Sequence, residues 1–127
     1  MPGSYAFPRR ARLSKDREYQ RVFAARMRRS AGALTLHALP NNLPHHRLGL
    51  SVGRRAGSAV ARNHAKRLIR EAFRLDRPDL PRTDAGAYDL VVSLRAPLAL
   101  NLDSLRSTLL RLAREAHDSW IARGAPP

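Results

Sequence analysis

The most regular pattern in the chain is YDLVVSLR at residues 88–95, where Tyr88, Leu90, Val92 and Leu94 share one face of a strand. Residues 33–39, ALTLHAL, alternate similarly and predict a strand with Leu34 and Leu36 inward and Thr35 and His37 outward. A further strand is predicted over Arg47–Val52, after the loop PNNLPHH at 40–46. Elsewhere the period is helical. Tyr19, Val22, Phe23 and Arg26 follow i, i+3, i+4, i+7 spacing and predict a helix from Leu13 to Arg28, with Ser14 as cap. Ser58 caps a second predicted helix that reaches Leu75, and a loop rich in proline and aspartate fills 76–86. A third helix, capped by Asp103, carries Leu105, Leu109, Leu112, Ala116 and Trp120 as an apolar stripe and ends at Gly124. Residues 1–12 read as an extended basic arm and 125–127 as a tail. Residues 1–127 therefore read as a single domain of the α+β class, with helices packed on a small sheet.

Charge changes this picture most in the second helix. On a helical wheel Arg62, Lys66, Arg70, Asn63, Arg74 and Arg67 fall in one arc of about 140°. Leu75, Leu68, Ala61, Ala72, Ala65, Ile69 and Phe73 take the other side. Only Glu71, at the edge of the arc, is acidic, and Arg54 and Arg55 stand at the helix entrance. The whole chain has 24 lysines and arginines against 10 aspartates and glutamates, a net charge of +14, with lysine only at 15 and 66. Arginine's planar fork suits phosphate. A face of five cations that cannot neutralise one another calls for a polyanion, and nucleic acid is the expected partner.

Other chemistries are poorly supported. There is no cysteine, so disulfides and thiolate metal sites are excluded. His45 and His46 have no third ligand at a zinc spacing and read as solvated loop residues. Asp76, Asp79, Asp84 and Asp89 resemble a magnesium-holding set only in number, since most lie among prolines and turn residues. No phosphate loop or nucleophile elbow is present, so no catalytic or metal-ligating residue is assigned. Residues 1–12 lack the apolar stretch of a signal peptide, and no apolar run approaches the ~18 residues of a membrane span. The expected setting is soluble and cytoplasmic, without a membrane.

The run AVARNHAKRLIREAFR at 59–74 resembles the signature of the bacterial ribonuclease P protein component: Arg-Asn-Arg, then Lys-Arg, two hydrophobics and Arg. Arg62, Asn63, Lys66, Arg67 and Arg70 match position for position, while His64 replaces the triplet's second arginine. LGLSVGRRAGSAV, RLSKDREYQRVF and YDLVVSLRAP resemble the family's central strand and turn, first helix and last strand, so the likeness covers roughly residues 8 to 122. The resemblance implies an αβ sandwich with a four-stranded sheet, in the order α-β-β-β-α-β-α, and a left-handed βαβ crossover, against the usual rule. It implies a catalytic RNA partner that removes the 5′ leader of precursor tRNA using Mg²⁺ held mainly by that RNA, the protein alone being inactive and having no stable protein partner. RNA-binding residues would be Arg54, Arg55, Arg62, Asn63, His64, Lys66, Arg67, Arg70 and Arg74. A leader-binding cleft would use Tyr19, Phe23 and His37, with Tyr19 the more committed and Phe23 packing partly inward. The alternative is a structural, ribosomal-type RNA-binding protein with no processing role.

Overall fold

The computed structural model describes residues 8–99 and 101–124. Its elements run α1 (Asp16–Ala24), β1 (Arg28–Ala31), β2 (Leu34–Pro40), β3 (Arg47–Val52), α2 (Ala59–Asp76), β4 (Tyr88–Leu94) and α3 (Leu102–Ala122). The strands form one sheet in the spatial order β1-β2-β4-β3, antiparallel except for the β3–β4 pair. Parallel neighbours need a crossover between them, and α2 supplies it. This is the expected α+β sandwich and element order.

Strand alternation sorts the side chains between two helical layers. Leu34, Leu36 and Ala38 of β2, Tyr88, Leu90, Val92 and Leu94 of β4, and Leu48 and Val52 of β3 face the main core. Ala65, Ile69, Ala72 and Phe73 of α2 meet them there, with Leu105, Leu109, Leu112 and Ala116 of α3. Three polar ties fasten α3 to the sheet: the Trp120 indole N–H donates to the Ala38 carbonyl at 3.0 Å, the Tyr88 hydroxyl meets His117 Nδ1 at 2.7 Å, and Arg29 Nη2 on β1 donates to Ser119 Oγ. Among the described residues the opposite face carries the short α1 and the segment before it, with Val22 and Leu13 packed onto Val91 and Tyr19 and Leu39 alongside.

Several expected boundaries move. The first helix ends at Ala24, not Arg28, because Arg26 turns into the left-handed region at φ 57°. The residues beyond it become β1, a four-residue edge strand that joins β2 through Gly32 at φ 58°. Ser14 is not its cap; the Glu18 carboxylate instead accepts the N–H groups of Ser14 and Lys15, both at 3.0 Å. Asp103 yields to Asn101, whose Oδ1 accepts the Ser104 N–H at 3.1 Å. Ser58 caps α2 as expected, accepting from the Ala61 N–H. Thr35 and His37 face away from the main core but are buried, because β2 is an inner strand with α1 on that side. The arm is docked where it is described: Ala11 is fully buried, and the Leu13 N–H donates to the Leu48 carbonyl at 2.9 Å along the outer edge of β3. Residues 1–7 of the arm and the tail at 125–127 lie outside the described residues.

The loop histidines and aspartates also differ from expectation. His46 is 2% exposed, its ring parallel to that of Tyr88 and its Nδ1 accepting the Tyr88 N–H at 3.0 Å. Burial, helped by the charge of Arg82, pushes its pKa down from 6.5 to about 4. The unfolded chain thus binds a proton between those values that the folded chain refuses. Stability from this group is complete above pH 6.5 and falls away as the pH drops toward 4, by about 3 kcal/mol in all. Equilibrium unfolding at stepped pH should show that loss in the wild type, and His46→Asn should flatten it. Asp76, expected in the loop, closes α2 and is a buried partner of Arg106, which reaches its Oδ1 at 2.8 and 3.0 Å; Asp89, on its expected strand, is buried with both oxygens gripped by Arg47.

Candidate nucleic-acid interface

Of the polar residues on the cationic side of α2, Asn63, His64, Arg67 and Arg70 are exposed, while Arg62, Lys66 and Arg74 are half-buried on the flanks. His64, which stood outside the cationic arc on the wheel, is exposed beside Arg67. Ala61, placed on the apolar side, is exposed too, because the first turn of α2 projects past the core. Arg74 does find an acid: its Nε and Nη2 reach the two Glu71 oxygens at 2.9 and 2.6 Å. That contact holds the Glu71 carboxyl below its ordinary pKa. Among the described residues Arg62, Lys66, Arg67 and Arg70 form no ion pair. Opposite them, Ile69 is fully buried. Ile69→Ala should therefore cost about 2–4 kcal/mol of stability. Arg67→Ala should leave the melting temperature almost unchanged and weaken RNA binding. Thermal melts beside RNA titrations of both variants check the two faces of the helix.

A groove of about 820 Å³ opens on the other side of the sheet. It exists because α1 is only nine residues long and leaves half of that sheet face uncovered. Ser51, Ser93 and His37 lie along it, Phe23 forms a wall, and Arg26, Arg28, Arg54, Arg55 and Arg95 surround it; no carboxylate lines it. Phe23 is 38% exposed and meets the His37 ring edge to face, centroids 4.8 Å apart. Burial, then the charges of Arg28 and Arg95, hold the His37 pKa below its ordinary value. Arg54 and Arg55 sit in the short turn between β3 and α2, which carries the cationic rim directly into the cationic helix.

Phe23 and His37 thus share the groove, and Tyr19 does not line it. The Tyr19 ring lies over Gly49, where a Cβ would stand 2.8 Å from Cε2 and Cζ, and its hydroxyl accepts the Leu50 N–H at 3.1 Å. Tyr19 is half-buried and held by its packing on Gly49, while Phe23 is the aromatic that faces the groove. Arg26, Arg28, Arg95, Ser51 and Ser93 were not singled out in the sequence. The local sign of Arg28 and Arg95 was their position at strand ends, where a cation is common for many reasons, and Arg26 entered as a helical position. Among the described residues no group of three or more histidines or carboxylates gathers as a metal site. The arrangement suits holding a polyanion.

Residues 7–117 match the family model described as Ribonuclease P. The chain belongs to the ribonuclease P protein family. A ribonuclease P protein component from Methylococcus capsulatus is 42% identical over 123 residues, covering 95% of this chain and 88% of the relative. One from Syntrophobacter fumaroxidans is 41% identical over 117 residues, covering 92% and 95%. The ribonuclease P protein of Staphylococcus aureus superposes with a TM-score of 0.70 at 27% identity, over 84% of this chain and 94% of that one. That of Thermotoga maritima gives 0.70 at 28% identity, over 82% and 96%. Membership makes this an RNA-binding protein component of ribonuclease P, acting in tRNA processing, and sets aside the ribosomal-type alternative.

Proposed function

We propose that this ribonuclease P protein is the cationic, non-catalytic partner of an RNA subunit that carries out Mg²⁺-dependent cleavage of precursor tRNA in the cytoplasm. In this reading α2 lies against the RNA subunit through Arg62, Asn63, His64, Lys66, Arg67 and Arg70, replacing counterions there. The groove takes the single-stranded 5′ leader. Phosphates would go to the arginine rim and an unpaired base to Phe23. No further protein partner is required. The chain's own residues do not fit a Mg²⁺ site, since Asp76 and Asp89 are already engaged by Arg106 and Arg47. The RNA would hold the ion. No helix among the described residues is long and apolar enough to cross a membrane.

The observation that carries the leader reading is an accessible aromatic wall in a groove lined by arginines and no carboxylate. Phe23→Ala should keep the fold and lower the affinity of the protein–RNA holoenzyme for precursor tRNA by about 1–3 kcal/mol. Affinity for mature tRNA, which has no leader, should hardly change. Tyr19→Ala should instead lower the melting temperature, through lost packing on Gly49. Equal losses for precursor and mature tRNA in the Phe23 variant would reject the groove as the leader site.

A further inference from the structure

A row of hydroxyl residues crosses the sheet, and two of the four line the groove. Ser30, Thr35, Ser93 and Ser51 stand in register across all four strands, from β1 through β2 and β4 to β3. The first two satisfy each other, with Ser30 Oγ and Thr35 Oγ1 2.8 Å apart. Ser93 and Ser51 both line the groove, and neither hydroxyl bonds to another described residue. Ser93 is only 7% exposed as a residue, and what it exposes includes its Oγ, which opens onto the groove. A hydroxyl left to solvent there can exchange water for a polar group of a ligand. Neighbouring strands are about 4.8 Å apart, so one small polar group seated between the two serines can reach both.

The other parts of a nucleotide already have recipients in the groove. The arginine rim suits phosphate, and Phe23 suits a base face. A serine hydroxyl both donates and accepts, so it pairs with any base edge and carries little information about base identity. Toward the sugar the same contact is informative, because a 2′-hydroxyl is present in RNA and absent in DNA. We propose that Ser93 and Ser51 form a ribose-sensing pair, bonding a 2′-hydroxyl of the single strand held in the groove. This rests on the reading of the groove as the leader site.

The test compares holoenzyme binding to three RNAs: precursor tRNA with an ordinary leader, the same precursor with 2′-deoxynucleotides throughout the leader, and mature tRNA. Wild type should hold the ribose leader about 3- to 10-fold more tightly than the deoxy leader, the range of one or two net hydrogen bonds. Ser93→Ala should lose that preference by binding the ribose leader more weakly, with deoxy-leader and mature affinities unchanged. Ser51→Ala, at an exposed position where the fold is not at risk, should reduce the preference in the same direction. Equal wild-type affinity for ribose and deoxy leaders, both tighter than mature tRNA, overturns the ribose sensor and leaves the leader groove standing. Equal affinity for all three RNAs overturns the groove reading and the sensor with it. A preference that survives in both serine variants places sugar recognition elsewhere and rejects this pair.

Discussion

Asp89→Ala will destabilise the protein by about 3–5 kcal/mol, the usual result of removing one member of a buried ion pair. Asp89 sits on the inner strand β4 at 2% exposure. Arg47 on the edge strand β3 donates to it twice, through Nε at 2.8 Å and Nη2 at 2.7 Å, and Asn41 adds a third bond at 2.9 Å. The remaining arm of Arg47, Nη1, reaches Glu18 at 2.9 Å in the first turn of α1. One guanidinium therefore joins β3, β4 and α1. Without Asp89 it stays charged and largely enclosed, and the Asn41 amide keeps only the His45 carbonyl of its two acceptors. The cost belongs to the stranded charge, so Arg47→Met combined with Asp89→Ala should be less damaging than Asp89→Ala alone. Denaturant unfolding of the two singles and the double measures this. A double variant as unstable as the sum of the singles would show that the three groups act independently.

Affinity for the RNA subunit should fall about 10²- to 10⁴-fold when salt rises from 50 to 200 mM, corresponding to about five to eight neutralised phosphates and a log–log slope of about −4 to −7. The contributors on α2 are Arg62, Lys66, Arg67 and Arg70, none of which has a carboxylate among the described residues, with Arg54 and Arg55 beside them. Removing Arg67 should reduce the slope by about one unit. Arg74→Ala should change it less, because Arg74 already faces Glu71. A slope near zero, measured by titration across the salt series, would mean that α2 is not the interface.

The elements legible in the sequence are those whose own periodicity suffices. Tyr88–Leu94 and the Ile69 face of α2 declare themselves because alternation or helical spacing persists for several repeats. β1 does not, since Arg28–Ala31 is four residues at an edge with no apolar face of its own. It is a strand because β2 pairs with it. His46 looked solvated among prolines and asparagine, and only Tyr88, distant in sequence, encloses it. The choice between Tyr19 and Phe23 was beyond local reasoning for a similar reason. Two aromatics one turn apart are equivalent until Gly49 offers one of them a place with no Cβ in the way. The hydroxyl row needed the register of four strands, which no single segment contains.

The strand order β1-β2-β4-β3 also sets a timetable for the nascent chain. Within the sheet, β3 pairs with β4 alone, and β4 is the last strand to be made. At about 5–20 residues per second, roughly 2–7 s separate the synthesis of residue 52 from that of residue 88. Throughout that interval β3 has no sheet partner, and the apolar side of α2 waits for Tyr88, Leu90 and Val92 to cover it. Pairing Leu34 with Leu94 then closes a loop of about half of the chain in one step. A ribosome stalled before residue 88 should therefore display a cationic but protease-sensitive chain. Closure of the sheet waits on the emergence of one seven-residue strand.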